Sequence, residues 1–393
     1  MNADEKRQFD SRRGSIPGNP KLKFRAYSGL MAEPFITRPL SIALDAVRFA
    51  SAFLVLAGHT GGGSPVYNGP WPFSERLSHY SVIVFFVLSG LVISASVADR
   101  QTSLKAYAIS RITRILPVAA VAVGFSMLIY SMKLAEAGQI PADFAAHLAK
   151  SALLSLSFLS LSGFGGDLSW DVPYWSLCYE AWFYALFGAA FFLRGILRWA
   201  VLAGMLMLVG VPILLLLPVW LAGVWLNRAA WPRSVTLDRA PLLLLGCAVA
   251  MQLVTIWDMN VLFAVRDIVP FSLGMSEWLV SDYFTAIIVV VAIAALRPLA
   301  MQYSAWLERF AVPISYAAGF TFTLYLFHEP VLGLLHLAGF ATSGNPAWLA
   351  LAIAMNLAIC AGIAELVERR TPALRRAVTR LLATRPEGKA ATI

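Results

Sequence analysis

From residue 199 to residue 227 no charged side chain interrupts the chain. A run this long exceeds the roughly 20 apolar residues that carry an α-helix across a bilayer. The pattern recurs along the sequence, giving ten apolar segments: 41–60, 80–98, 115–132, 174–193, 199–214, 215–227, 240–257, 280–296, 312–338 and 347–366. Composition agrees, with 59% hydrophobic residues, 13% charged residues and a mean hydropathy of +0.70. A soluble domain is about one quarter charged. The sequence therefore predicts an all-α, polytopic integral membrane protein with about ten transmembrane helices, and it excludes a soluble multi-domain enzyme.

Charge gives an expected orientation. Of the 31 lysines and arginines, only Arg76, Lys133, Lys150 and Arg266 fall outside if ten spans start from a cytoplasmic N-terminus, while Arg48 lies within a span. Such a bias matches the positive-inside rule and places both termini in the cytoplasm. Reading 199–227 as one tilted helix would invert every later loop and lose the bias. Pro212 and Pro218 instead suggest two short helices folded back. The net charge of +9 is then a signal of topology and of affinity for anionic lipid, with no nucleic-acid partner implied. Residues 1–39 read as a basic cytoplasmic tail, disordered by composition, 40–370 as one integral membrane domain, and 371–393 as a second basic cytoplasmic tail. Segment 144–162 is apolar, but parity of the crossings makes it an interfacial or re-entrant helix on the outer side.

Ionisable groups inside apolar segments need a reason. Arg48 and His59 stand eleven residues apart, so on an α-helix they share a face to within about 20° and are separated by roughly 16 Å. In the bland reading Asp45 pairs with Arg48 and His59 caps a helix end. In the functional reading a neutral imidazole takes a proton from a hydroxyl, and the shared stripe marks a path through the membrane. Arg111 and Arg114, three residues apart before Pro117, form a phosphate cradle or the ordinary basic edge of a membrane helix. Glu180 lies in the aromatic segment WSLCYEAWFY and can orient an imidazole or bind a sugar hydroxyl, with Trp175 and Tyr184 beside it. Tyr325 and His328 precede Glu329 and Pro330 in YLFHEPV, where a histidine is either a member of a site or a structural hydrogen-bond donor. Ser89 and Gly90 read as helix-packing residues. Cys178, Cys247 and Cys360 lie at no ligand spacing, so no metal site is expected.

In this order, Arg48 with His59, FFVLSG at 85–90, RITRILP at 111–117, WSLCYEAWFY at 175–184 and YLFHEPV at 325–331 resemble the membrane-bound acyltransferase-3 family of bacterial carbohydrate O-acyltransferases. The resemblance implies about ten spans in a bacterial inner membrane and a cytoplasmic acyl-coenzyme A donor, typically acetyl-CoA. It also implies a carbohydrate or lipid-linked glycan acceptor at the outer face. It implies catalytic roles for His59, Arg48 and Glu180 and donor binding by Arg111 and Arg114. Trp175, Tyr184, Tyr325 and His328 remain as candidates for substrate contact. His59 would act as general base or carry the acyl group itself. Many relatives read E-E-Q-F-Y after W-S-L where Tyr179, Glu180, Ala181 and Trp182 stand here, a departure that bears on the acceptor. The alternatives are a proton-coupled transporter using Arg48, His59, Glu180 and His328 as a relay, and an acyltransferase with a non-sugar acceptor.

Overall fold

The computed structural model describes residues 34–383 apart from 62–63, 74, 101–102, 163, 165, 167, 269–272 and 341–342. The chain divides into a leading unit, Met1–Thr37, and a helical body from Arg38 onward. The tail expected over 1–39 therefore lies almost wholly outside the described residues.

Among the described residues the body is helical, with two isolated β-bridges in its loops. In chain order they are α1 (Arg38–Thr60), α2 (Glu75–Arg100), α3 (Leu104–Glu136), α4 (Phe144–Leu156), α5 (Trp175–Phe192), α6 (Gly195–Val209), α7 (Val211–Arg228) and α8 (Ala240–Ile268). There follow α9 (Leu279–Gln302), α10 (Ser304–Arg309), α11 (Ala311–Ala318), α12 (Thr321–Leu337), α13 (Pro346–Leu366) and α14 (Thr371–Ala383). Among the described residues seven helical stretches are long and apolar enough to cross a membrane, and counting α11 with α12, bent by 51°, as one span gives eight. The protein is a polytopic membrane protein. The other two expected spans fall on α5, whose hydropathy is lowered by Glu180 and its polar-tipped aromatic residues, and on α6. With 15 residues, α6 is about 22 Å long, short of a hydrocarbon core of about 30 Å.

Three local features depart from the expected pattern. The uncharged run does separate into two helices, but at Gly210, with φ of 82°, a value that costs glycine nothing. Pro212 sits in the first turn of α7, where its missing N–H has no partner to lose, and Pro218 stays inside the helix. The segment 312–338 is not continuous: the bend falls at Gly319 and Phe320, ahead of the interior Pro330. Helix α3 also runs through Pro117 rather than ending there, so Arg111 and Arg114 ride on a continuous helix 33 residues long. Helix α4, with 13 residues, is too short to span.

Around the centre, α1 packs on α2, α11 and α12, while α2 crosses α7 and α12 lies against α3 and α13. Large apolar side chains point outward along α8, Leu242, Leu245, Val249 and Ile256 among them, as a lipid-facing helix requires. The α2–α7 crossing is unusually close. A Cβ at Gly90 would stand 2.0 Å from the Trp220 carbonyl oxygen, and one at Gly223 would stand 1.9 Å from that of Val87. Only glycine fits on either side.

Gly90→Ala and Gly223→Ala are each expected to lower stability by about 1–3 kcal/mol, because a backbone neighbour cannot step aside as a side chain can. Gly124→Ala, which meets nothing within 4 Å, serves as the control. Thermal unfolding in detergent should show a loss for the first two and none for the third.

Candidate active site

A cleft opens between α1, α2, α3, α5 and α12. Arg48, Ser89, Arg111, Arg114, Glu180, Tyr184 and Tyr325 line it, and about 90 Å³ admits water-sized groups. Arg48 keeps the ion pair expected with Asp45, Nη1 to Oδ1 at 3.3 Å. Both the bland and the functional reading of Arg48 thus describe one side chain, which holds a carboxylate and faces a cleft. Arg111 and Arg114 do share a face and reach the same cleft, and the Arg111 guanidinium lies 5.6 Å from the Tyr184 ring centre.

Glu180 is held by two hydroxyls. Ser89 Oγ donates to its Oε1 at 2.7 Å, and the Tyr184 hydroxyl, one helical turn on, donates to the same oxygen. Ser89 in turn accepts from Trp220 Nε1 at 3.1 Å. Ser89 is therefore more than a packing residue: the glycine-mediated crossing beside it brings its hydroxyl between α5 and α7. Below the cleft, half-buried Glu368 accepts from the Thr323 amide at 2.9 Å and from its hydroxyl at 2.7 Å, and it lies in the fields of Arg48 and Arg114. Three carboxylates, Asp45, Glu180 and Glu368, thus lie among the three guanidinium groups of the cleft.

His59 occupies the far end of α1, and its ring stands 5.0 Å from that of His328. Its Nδ1 lies 2.8 Å from the Val55 carbonyl oxygen, one turn back. His328 repeats the arrangement, with Nδ1 2.7 Å from the Tyr325 carbonyl oxygen. A carbonyl only accepts, so in each neutral ring Nδ1 carries the hydrogen and Nε2 is left with a lone pair. Both rings are thereby fixed in the tautomer that can take up a proton at Nε2. His328 is fully buried, as is Asn356 of α13, whose amide donates to the His328 carbonyl at 2.8 Å and anchors that stretch of α12. Trp71 and Thr60 close the end of α1, both donating to the Ala57 carbonyl, at 2.6 and 2.8 Å.

The cleft and the imidazole pair are neighbours but are not joined. Among the described residues the lining of the cleft stops at Phe85 and Tyr325, and the Tyr325 ring centre is 6.1 Å from that of His328. The open path expected along the Arg48–His59 stripe is thus closed by one aromatic wall. Trp175 also lies away from the cleft. It is buried and stacks on His79 at 5.7 Å with an interplanar angle of 13°.

Sequence reasoning passed over His79. Its Nε2 is 2.7 Å from Oδ1 of Asp282, which is fully buried at the start of α9, and Trp278 meets the ring edge-on at 4.5 Å. The signal available was the same as for His59, an ionisable residue at the margin of an apolar segment on both α2 and α9. The separation of 203 positions along the chain hid the pairing. Glu368 was hidden in the same way, since only the fold brings it beneath α1.

An all-helical membrane body with a cleft rich in arginine and, behind it, two paired imidazoles defines a polytopic membrane protein with a polar interior. The sequence matches the model of the acyltransferase-3 family, described as an acyltransferase domain, over residues 41–365, and the chain belongs to that family. It is therefore a membrane acyltransferase. No curated protein and no solved structure matches it.

Removing one partner of a buried pair strands the other, at roughly 3 kcal/mol or more. Asp282→Ala is accordingly expected to lower the melting temperature of the detergent-solubilised protein markedly. The double variant His79→Phe with Asp282→Leu should recover much of that loss. Equal melting of the single variant and wild type would show the pair to be energetically idle.

Proposed function

We propose that the protein transfers an acyl group, typically acetyl, from cytoplasmic acyl-coenzyme A to a hydroxyl of an exported carbohydrate. The acceptor is an exopolysaccharide, an O-antigen or another lipid-linked glycan presented at the outer side of a bacterial inner membrane. One observation carries the reading: three arginines face a single cleft, and its wall backs directly onto a pair of imidazoles with free Nε2 lone pairs. The charge distribution supports the orientation, with cytoplasmic termini and donor entry from the side of Arg111 and Arg114.

In this mechanism Arg111 and Arg114 bind the donor's phosphates through charge-assisted hydrogen bonds. Arg48, braced by Asp45, guides the pantetheine arm. His59 Nε2 takes the proton of the acceptor hydroxyl while the alcohol oxygen attacks the thioester carbonyl. The C–O bond forms, the C–S bond breaks, and the coenzyme A thiolate leaves and is protonated. His328 stands where it can accept or return that proton, and Glu180 holds the Ser89 and Tyr184 hydroxyls that shape the cleft. Tyr184 and Tyr325 supply aromatic surface to the cleft, and Trp175, stacked on His79, stands outside it. No step requires a metal.

His59→Ala should reduce transfer by about 10²–10⁴-fold, the usual contribution of a positioned base, with membrane insertion and yield unchanged. Full activity would exclude His59 from the chemistry. Labelled acyl-CoA given without acceptor should leave no label on the wild-type protein, whereas a labelled His59 would replace the base mechanism with an acyl-enzyme. The transporter reading predicts solute uptake by vesicles without release of free coenzyme A. Arg111→Ala combined with Arg114→Ala should raise the donor KM by about 10-fold or more, one lost charged hydrogen bond being about 1.5–3 kcal/mol. The acceptor KM should hardly change. An unaltered donor KM would refute the phosphate cradle.

A further inference from the structure

A second polar cavity lies between the end of α2, the start of α3 and the amphipathic helix α14. It measures about 480 Å³ and is lined by Ser96, Lys105, Ser110, Arg111, Arg375 and Thr379 among others, within the 300–1,000 Å³ typical of small-molecule sites. Helix α14 is held on α3 by a hydrogen bond from Lys105 Nζ to the Leu382 carbonyl at 3.2 Å. The Arg375 guanidinium reaches the Ser110 hydroxyl at 3.5 Å, and Arg111 Nη2 donates to the same hydroxyl at 2.8 Å. Two guanidinium groups therefore converge on one oxygen with a lysine nearby. The described lining residues contain no carboxylate.

Like charges gathered this closely repel unless an anion lies between them. The first turn of α3, capped by Ser103, adds the positive pole of a long helix on the same side. Arg111 Nε is buried and has no hydrogen-bond partner. Arg111 also lines the central cleft, so the two cavities meet at its side chain. A ligand that fits both has a bulky anionic head and a narrow arm.

We infer that this basin holds the phosphorylated adenosine end of the acyl-coenzyme A donor, with Lys105 and Arg375 pairing with its phosphates, so that α14 is part of the donor site. The inference rests on the donor proposed above and adds Lys105 and Arg375 to Arg111, which the basin shares with the cleft.

Full-length protein reconstituted in neutral lipid tests it, using adenosine 3′,5′-bisphosphate for binding and acyl-CoA and acyl-pantetheine for turnover. Lys105→Ala and Arg375→Ala should each weaken bisphosphate binding about fivefold or more, the scale of one charge-assisted contact. The acyl-CoA KM should rise in parallel at constant kcat, and the KM for acyl-pantetheine, which lacks the nucleotide, should not move. Arg375→Lys keeps the charge and should recover part of the binding, which separates phosphate pairing from loss of α14. Unchanged bisphosphate affinity in both alanine variants overturns the inference. A response confined to added phosphatidylglycerol also overturns it and assigns the basin to lipid phosphate. Should the wild type fail to cleave acyl-CoA, the proposed donor falls. If it cleaves acyl-CoA but neither alanine variant shifts KM, the basin alone falls.

Discussion

Helix α2 meets α7 at a separation that Gly90 and Gly223 alone permit, and the polar interior is built outward from that contact. With the backbones so close, the neighbouring Ser89 reaches Trp220 on one side and Glu180 on the other. A bulkier residue at either glycine would part the helices and leave an acid, an indole N–H and two hydroxyls searching for partners where water is scarce. In such surroundings an unsatisfied polar group is more costly than any single packing contact is favourable. The close crossing and the hydrogen-bonded acid are thus one device, in which packing supplies the geometry that satisfaction requires.

The same accounting explains how two histidines are kept ready. Each surrenders Nδ1–H to a carbonyl of its own helix, three or four residues back, so no distant partner is needed to set the tautomer. Helix α12 is in turn anchored where it matters, since Asn356 engages the carbonyl of His328 itself. The bend at Gly319 and Phe320 lets the following helix carry Tyr325 to the cleft and His328 to His59 within one turn.

The sequence made the helices legible because bilayer hydrocarbon imposes length and polarity on each of them separately. Every one of the ten apolar segments falls on a helix or on the bent pair. It was less informative about where helices break. Proline was the expected breaker at 212 and 218, yet in these tightly packed helices proline is tolerated and the breaks sit at Gly210 and Gly319. Periodicity placed Arg48 with His59 and Arg111 with Arg114 because those pairs share a helix. It could not place His79 with Asp282, Glu368 with Thr323, or Arg375 with Ser110, which are joined only by tertiary packing. The motif residues of α1, α3, α5 and α12 were individually visible, whereas their division into a cleft and a separate imidazole pair was not.

That division is set by Tyr325. Its hydroxyl accepts from Ser176 at 2.7 Å and donates to the Pro173 carbonyl at 2.9 Å, so the ring is held by a single short stretch leading into α5. In the proposed reaction, an acyl group moving from the cleft to an alcohol beside His59 passes this ring. The segment that fixes the ring continues directly into the turn bearing Glu180. Any displacement of the start of α5 therefore loosens the wall and repositions the acid of the cleft in the same motion. In the proposed reaction, passage of the acyl group and the shape of the donor cleft are governed by one element rather than by two independent parts.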